Sequence, residues 1–307
     1  MVKVVGIVGP TAVGKTALSI QLAKQLNGEI ISGDSMQVYR GLDIGTAKIT
    51  PSEMAGVSHH LINVRNVDER FSVADFQQLA NQEIQEISCR HHLPMVVGGT
   101  GFYLQSLTQN LTLGADHFDE QSAKIRQKWQ QIAEQQGGQF VWNHLNKLDP
   151  VAAGQIPVAN VRRVIRALEV IQKTGHPFSQ QEQRPALNEF YLIGLNTDRQ
   201  KLYQRINQRV DEMVTQGLVA EARSLYQAGG KNYQSGKGIG YRELFPYFDG
   251  EISLAQAIDK IKLDSRHYAK RQLTWFRNKM TVHWFDLVGG QNTITEIKQQ
   301  VAEWLAH

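Results

Sequence analysis

Hydrophobic runs and helical periodicity alternate along the first third of the chain. Residues 2–8 read Val-Lys-Val-Val-Gly-Ile-Val, a β-branched run that predicts a buried strand. Leu18, Leu22 and Leu26 then recur every fourth residue, which predicts an amphipathic helix over 16–26. The alternation continues with a strand at 29–32, a helix at 73–87 and a strand at 93–97. Strands that alternate with helices indicate an α/β fold built on a parallel sheet.

The pattern changes near Leu113, where polar, Gln-rich helices replace the alternation until a hydrophobic run at 190–195. We therefore expect an all-helical inserted subdomain over 113–187, which divides one α/β core into the segments 1–112 and 188–307. The elements predicted after the insertion are helices at about 198–216, 218–228 and 253–279, a strand at 282–285 and a C-terminal helix.

The composition is that of an ordinary globular protein. Of the 307 residues, 41% are hydrophobic and 20% are charged, which allows a sizeable core and excludes disordered, collagen-like and coiled-coil chains. The single cysteine, Cys89, excludes a disulfide framework and a multi-cysteine zinc module, and it favours a cytoplasmic location. No run approaches the roughly 18 apolar residues of a membrane span, so we expect no membrane partner.

Positive charge is concentrated in one segment of the second half. The net charge of the chain is only +4, yet residues 260–279 carry seven Lys or Arg residues against one acid, Asp264, which gives a local charge of +6. Tyr268, Trp275 and Phe276 lie among these cations, although Phe276 is expected to belong to the core. Cations beside stacking aromatics favour binding of single-stranded RNA.

A phosphate-binding loop follows the first predicted strand. Residues 9–16 read Gly-Pro-Thr-Ala-Val-Gly-Lys-Thr and match G-x-x-x-x-G-K-[ST] between a strand and a helix. In such a loop the glycines let backbone N–H groups converge on phosphate oxygens, Lys15 neutralises a terminal phosphate, and the Thr16 hydroxyl can bind Mg²⁺. The candidate ligand-binding residues are Gly9, Pro10, Thr11, Ala12, Val13, Gly14, Lys15 and Thr16. The loop predicts a diphosphate or polyphosphate ligand and leaves the reaction open.

The acid that would complete a nucleotide-hydrolysing site is missing after the third predicted strand. That strand ends in Gly98-Gly99-Thr100, without the acidic residue that usually holds Mg²⁺ and positions water there. Asp34 instead follows the second strand, at the sheet edge where ligands bind in open α/β folds. Asp34 is therefore a candidate general base for transfer to an acceptor, although an Asp after a Gly is also a common turn residue.

Two further segments carry cations that could contact a nucleic acid, one on a predicted helix and one in a Gly-rich stretch. Arg163 and Arg166 share one turn of a predicted helix, and they could contact phosphates or bases, or could form a solvated face paired with Glu169. Residues 236–243 read Gly-Lys-Gly-Ile-Gly-Tyr-Arg-Glu, and we expect them to open a helix and to contact a nucleic-acid backbone.

Several motifs occur together, in order, over nearly the whole chain. They are residues 9–16, 32–48 (SGDSMQVYRGLDIGTAK), 98–103, 163–169, 209–213, 238–243 and 268–277 (YAKRQLTWFR). In these motifs the chain resembles the tRNA dimethylallyltransferase family, also called the tRNA isopentenylpyrophosphate transferases. Kinases share the phosphate loop, whereas the segments 34–48 and 268–277 are particular to this family.

The resemblance implies a P-loop NTPase-like parallel sheet and a prenyl transfer from dimethylallyl diphosphate. The acceptor would be N6 of the adenine 3′-adjacent to the anticodon, in tRNAs that read codons starting with U, and diphosphate would be released. By the same resemblance Thr11 to Thr16 and Mg²⁺ would hold the diphosphate, and Arg209 would contact it opposite Lys15. Thr100 would lie beside the reacting centre.

The resemblance also assigns an RNA side to the site. Asp34 would accept the N6 proton, and the flipped-out adenine would contact Ser35, Met36 and Gln37. The implied tRNA-binding residues elsewhere are Arg162, Arg163, Val164, Ile165, Arg166, Lys237, Gly240, Tyr241, Arg242, Lys270, Arg271, Trp275 and Arg277. Many relatives have Gln where this chain has Arg162. We expect a monomer whose inserted helices clamp the tRNA anticodon stem-loop.

Two other function classes fit part of the sequence. A small-molecule or nucleotide phosphotransferase would explain the phosphate loop but leaves the +6 segment unexplained. An ATP-gated RNA-binding module would explain the cations but not Asp34 at the sheet edge. Salt separates these classes, because binding through several RNA phosphates weakens steeply with ionic strength.

Overall fold

The computed structural model of the chain describes residues 1–113, 119–180 and 184–307. These form two compact units, one of Met1–Gln109 with Ala186–His307 and one of Asn110–Pro185. The expected insertion, 113–187, begins and ends slightly later than the second unit. Its residues 114–118 and 181–183 lie outside the described parts of the chain.

A single parallel sheet organises the first unit. Its strands are β1 (Val2–Val8), β2 (Gly28–Ser32), β3 (His59–His60), β4 (Leu93–Gly98), β5 (Asn188–Leu195) and β6 (His283–Phe285). They lie in the order β3-β2-β4-β1-β5-β6, and every pairing is parallel. At the centre, Val5 of β1 lies opposite Met95 of β4 and Tyr191 of β5. The expected parallel α/β sheet is thus confirmed.

Helices connect the strands of this unit and cover its sheet. They are α1 (Lys15–Leu26), α2 (Pro51–Met54), α3 (Val73–Cys89) and α4 (Gly101–Thr108) before the second unit. After it come α9 (Arg199–Gln216), α10 (Leu218–Gln227), α11 (Phe245–Phe248), α12 (Leu254–Lys279) and α13 (Ile294–Ala306). The side chains of β1 alternate between two buried clusters, since Val4 and Val8 pack into one cluster and Val5 and Ile7 into the other. The sheet is therefore buried on both faces, as parallel sheets generally are.

The second unit is a small helical bundle with its own core. Its helices are α5 (Glu120–Gln136), α6 (Gly138–Leu148), α7 (Pro150–Gln155) and α8 (Val161–Thr174). Trp129, Leu145 and Leu168 belong to one buried cluster, which joins α5, α6 and α8. The fully buried carboxylate of Glu169 is paired with Arg126 at 2.6 Å and with Arg166 at 2.9 Å. These pairs compensate the cost of burying that charge.

Local signals explain where the helices begin. Ser72, Ser253 and Thr293 each form a capping box with the residue three positions later, at the starts of α3, α12 and α13. The segment 236–243, expected to open a helix, instead forms a short 3₁₀ turn at Ser235–Lys237 followed by tight turns. No helix in the described parts of the chain is both long enough and apolar enough to cross a membrane.

Candidate active site

The carboxyl ends of the parallel strands bring three segments to one edge of the sheet. The phosphate loop follows β1, Gly33 and Asp34 follow β2, and Gly99 and Thr100 follow β4. A cavity of about 990 Å³ lies at this edge, and its wall includes all three segments together with residues of α9 and α12. This is the place where open α/β folds bind ligands.

The phosphate loop has the backbone shape that its glycines predict. Gly9 has a φ of +146°, and a Cβ there would lie 2.5 Å from the carbonyl oxygen of Leu195, so no other residue fits. Gly14 has a φ of +102° and precedes the first residue of α1. Arg205 of α9 donates from Nε to the carbonyl oxygen of Ala12 at 2.8 Å and so holds the loop from one side.

Lys15 and Arg209 place two cations beside the loop. Lys15 Nζ donates to the carbonyl oxygens of Gly9 at 3.0 Å and Pro10 at 2.7 Å. Burial, reinforced by the charge of Arg209, lowers the pKa of Lys15 to about 7, and the charge of Asp34 opposes this shift. Burial likewise lowers the pKa of Arg209, again opposed by Asp34. A multiply charged anion would relieve the repulsion between these cations.

Asp34 is both a turn residue and a wall residue of the cavity. Its Oδ1 accepts hydrogen bonds from the backbone N–H groups of Met36 at 2.8 Å and Gln37 at 3.3 Å, which is an Asx turn. The two interpretations that the sequence left open are therefore compatible. The turn fixes the carboxylate at the sheet edge, where it lines the cavity.

Thr100 and Ser35 tie the end of β4 to the end of β2. Thr100 Oγ1 accepts from the backbone N–H of Ser35 at 3.1 Å and donates to Ser35 Oγ at 3.4 Å. Thr100 thereby fixes the residue next to Asp34.

Gln37 connects the Asp34 turn to a second loop of the cavity wall. Its Nε2 donates to the carbonyl oxygens of Thr46 at 3.2 Å and Ala47 at 3.4 Å, and its Oε1 accepts from Ser32 Oγ at 3.0 Å. Through these hydrogen bonds residues 34–37 and 46–47 form one continuous part of the cavity wall.

Glu221 of α10 holds the start of that loop, and the sequence analysis did not select it. Its carboxylate accepts from the backbone N–H groups of Asp43 at 2.8 Å, Ile44 at 2.9 Å and Gly45 at 2.9 Å. Three successive N–H groups that converge on one carboxylate form an anion-binding nest. Tyr241 Oη donates to the same carboxylate at 2.6 Å.

Tyr268 and Gln272 of α12 are two further wall residues: the sequence analysis placed Tyr268 only among the aromatics of the cationic segment, and it did not select Gln272. They lie one helical turn apart in the segment 268–277, and this spacing is the only signal that could have paired them. Burial, together with the charge of Asp34, raises the pKa of Tyr268 to about 12, so its hydroxyl stays protonated. The side chains of Thr100 and Gln272 act on the pKa of Tyr268 in the opposite direction and lower it.

The structure places the predicted RNA-binding residues of the first unit in different surroundings. Besides residues 34–37, those on the cavity wall are Lys237, Gly240, Tyr241, Arg242 and Arg271. Tyr241 is fully buried and hydrogen-bonded to Glu221, which corrects its assignment as a side chain that contacts RNA. Arg242 is paired with Glu243 and Asp264. Of the residues on the far part of α12, Lys270 and Arg277 are exposed, and Trp275 is half-buried edge-on to Phe102 at 6.0 Å.

The predicted RNA-binding segment of the second unit, residues 162–166, contains both exposed and buried side chains. Arg162 and Arg163 are exposed. Val164 and Ile165 are buried in the core of the unit, as expected for the inward face of this helix, so the RNA contact implied for them cannot come from their side chains. Residues 162–166 are adjacent in sequence, but α8 directs their side chains to opposite sides of the helix. Arg166 forms the expected ion pair with Glu169, but Glu169 is fully buried and does not belong to a solvated face.

The donor set fits a magnesium ion that arrives with a phosphate ligand. No group of three or more His, Cys, Asp or Glu residues in the described ranges could hold a metal by itself. Thr16 is exposed on the cavity wall, at the start of α1. Because Mg²⁺ keeps several waters and commonly uses one or two protein oxygens together with substrate phosphates, such a sparse set is sufficient.

Comparisons with known proteins agree with this geometry. The family model described as IPP transferase matches residues 37–279. The tRNA dimethylallyltransferase of Limosilactobacillus fermentum is 66% identical over 305 residues, which is 99% of each chain. The full-length tRNA isopentenylpyrophosphate transferase of Bacillus halodurans is 50% identical, with a TM-score of 0.73, over 99% of this chain and 96% of that one.

A more distant structure extends the comparison. A eukaryotic dimethylallyltransferase acting on tRNA is 29% identical, with a TM-score of 0.81, over 97% of this chain and 78% of that one. The P-loop NTPase-like fold and the family that the motifs indicated are thereby confirmed. This chain belongs to the IPP transferase family of tRNA-modifying prenyltransferases.

Proposed function

We propose that this protein transfers a dimethylallyl group from dimethylallyl diphosphate to N6 of the adenine 3′-adjacent to the anticodon, in tRNAs that read codons starting with U. In this reaction a bond forms between N6 and C1 of the dimethylallyl group while the C1–O bond breaks. The electron pair of that bond leaves with diphosphate, and the N6 proton passes to a base. The observation that carries the proposal is the shared cavity of the cationic phosphate loop and Asp34.

The loop side of the cavity suits the leaving diphosphate. Lys15 and Arg209 supply positive charge, the start of α1 supplies backbone N–H groups, and Thr11 lines the same wall. Negative charge grows on the diphosphate as the C1–O bond breaks, so fixed cations stabilise the transition state more than the ground state. Mg²⁺ held by the Thr16 hydroxyl and by phosphate oxygens would neutralise further charge when bound.

The opposite side suits the adenine. Asp34 is fixed through Oδ1 by two N–H groups, and we assign its carboxylate as the acceptor of the N6 proton. Ser35, Met36 and Gln37 would contact the adenine base, and Thr100 would keep this turn in register through Ser35.

Exposed cations in each of the two units suit the tRNA backbone. In the first unit they are Lys237, Lys270, Arg271 and Arg277, and in the second unit they are Arg162 and Arg163. We propose that the second unit clamps the anticodon stem-loop. We further propose that the protein acts as a monomer. A tRNA substrate is consistent with a cytoplasmic protein.

A transfer assay with matched variants tests the proposal. Purified protein, Mg²⁺ and labelled dimethylallyl diphosphate are incubated with an anticodon stem-loop that carries adenine 3′ to the anticodon, or guanine at that position. Label should enter only the adenine RNA. Asp34→Asn should retain RNA binding and lower transfer on the order of 10²–10⁴-fold, the range of a general base.

The control is Asp68→Asn, which changes an exposed acid outside the cavity wall and should transfer at the wild-type rate. Unchanged transfer by Asp34→Asn would remove Asp34 from the mechanism. No labelled RNA, with ATP consumed in a parallel reaction containing small acceptors, would favour the phosphotransferase alternative.

A further inference from the structure

A buried glutamine joins the phosphate loop, the end of β4 and the cationic helix α12. Gln272 is only 5% exposed. Its Oε1 accepts from the backbone N–H of Thr11 at 3.0 Å, and its Nε2 donates to the carbonyl oxygen of Gly99 at 2.9 Å. We infer that Gln272 is a positioning residue that sets the shape of the phosphate loop and couples it to the RNA-binding face of α12. The inference rests on the proposed function and deepens it.

The side-chain amide of Gln272 packs directly against Gly99, the residue that follows β4. A Cβ at Gly99 would lie 2.1 Å from Gln272 Nε2, closer than any real contact. The position of the glutamine therefore requires a glycine there. A hydrogen-bonded side chain enclosed in this way has a single orientation, which makes it a suitable reference point for the loop.

On the loop side, Gln272 accepts a hydrogen bond from a backbone N–H of the phosphate loop. The Thr11 N–H donates to Gln272, so Gln272 orients the peptide between Pro10 and Thr11, one residue before Ala12. Ala12 has a φ of +62°, a left-handed conformation that is uncommon for a residue with a Cβ. Arg205 of α9 holds the carbonyl oxygen of this same residue. The loop is thus fixed from two sides, by α12 at the amide and by α9 at the carbonyl.

The neighbours of Gln272 connect it to the RNA side. Arg271 precedes it directly, is exposed and lies over the Tyr268 ring at 5.7 Å. Tyr268 in turn lies one helical turn before Gln272, and both side chains line the cavity. If RNA binding displaces α12 slightly, the Gln272 side chain would move the Thr11 backbone to which it is hydrogen-bonded. By linkage, the two ligands must then change each other's affinity by the same factor.

Equilibrium binding of inorganic diphosphate tests the coupling without relying on catalysis. The dissociation constant is measured with Mg²⁺, in the absence and in the presence of a saturating anticodon stem-loop. In the wild type we expect the RNA to tighten diphosphate binding at least about fivefold, the lower end of typical coupling factors. Gln272→Met, which keeps the length of the side chain and removes both hydrogen bonds, should reduce this factor to below about twofold.

In steady-state kinetics, Gln272→Met should affect binding of dimethylallyl diphosphate and leave binding of RNA nearly unchanged. Gln272→Met should raise the KM for dimethylallyl diphosphate about tenfold, as expected for two lost hydrogen bonds, while the Kd for RNA alone stays within about twofold. Gln77→Met is the matched control, because Gln77 also donates to a backbone carbonyl, that of Ser106 at 2.7 Å, away from the cavity wall. It should lower thermal stability and leave the coupling factor and KM unchanged.

The possible outcomes separate this inference from the proposed function. Coupling that persists in Gln272→Met, or that Gln77→Met removes equally, would overturn the inference. A wild-type protein that couples the two ligands but transfers no label would instead contradict the proposed reaction. If Gln272→Met does not fold, Gly99→Ala serves as the second variant, since its Cβ would displace the amide and should give the same loss of coupling.

Discussion

Binding of diphosphate should be coupled to protonation of Lys15. Burial and the nearby charge of Arg209 lower the pKa of this lysine from 10.5 to about 7. A bound diphosphate would surround the ammonium group with negative oxygens and raise the pKa again. At pH 8 the free site is therefore mostly deprotonated, whereas the occupied site is protonated. Binding of diphosphate must therefore take up protons from the solution.

The size of this effect follows from the two protonation states. With a pKa of about 7, the free lysine carries roughly 0.1 proton at pH 8. If diphosphate returns the pKa to near its ordinary value, binding takes up about 0.9 proton. The apparent Kd should then weaken close to tenfold per pH unit above 7 and flatten below it.

The same depressed pKa fixes the sign of the stability change without ligand. Between about pH 7 and 10.5 the unfolded chain holds this proton and the folded chain does not. The ligand-free protein should therefore gain stability from this group as the pH rises through that window.

Calorimetry can measure the proton directly. Inorganic diphosphate is titrated at pH 8 in buffers with different ionisation enthalpies, and the slope of the observed enthalpy gives the number of protons taken up. Lys15→Met should bind more weakly and lose the lysine's part of the uptake. Lys24→Met, at the exposed end of α1, is the matched control and should keep it. Diphosphate itself titrates near this pH, so the proton taken up by Lys15 is the wild-type value minus the Lys15→Met value, and a difference below about 0.3 proton would refute the reasoning.

Two further predictions concern the RNA face and the second loop. Arg271→Ala should weaken stem-loop binding and lower the slope of log K against log salt by about one, because one phosphate contact is lost. Filter binding at several salt concentrations measures this, and an unchanged slope would place Arg271 outside the RNA interface. Glu221→Ala should cost about 3 kcal/mol or more of unfolding free energy, because it leaves the buried Tyr241 hydroxyl and three backbone N–H groups without their acceptor. Denaturant unfolding measures this loss, and one below about 1 kcal/mol would contradict the structural role of the nest.

The elements of the fold were largely predictable because their signals are local. The β-branched runs at β1 and β4 and the four-residue spacing in α1 each lie within one short segment. The edge strand β3 was not predicted, since its two residues, His59 and His60, carry no periodicity. Its position depends on pairing with β2, a tertiary contact.

The site was predictable where a motif is continuous in sequence and not where side chains meet from distant segments. The phosphate loop and Asp34 lie in such motifs. Gln272 meets Thr11 across 261 residues, and Glu221 meets Asp43 across 178, so neither pairing has a local signature. The opposite error occurred at Tyr241, which lies inside a cationic motif but faces the core.

The glycines after β4 and the acid after β2 together separate this site from a nucleotide-hydrolysing one. β4 lies directly beside β1, so an acid at its end would lie closest to the phosphate loop. A Cβ at Gly98 would lie 2.3 Å from the Gly33 carbonyl oxygen, and one at Gly99 would displace the Gln272 amide, so both contacts depend on glycine. The acid Asp34 lies one strand further from the loop, at the end of β2. Under the proposed function this spacing leaves room for the dimethylallyl group and the adenine between the cations that hold diphosphate and the carboxylate that takes the proton.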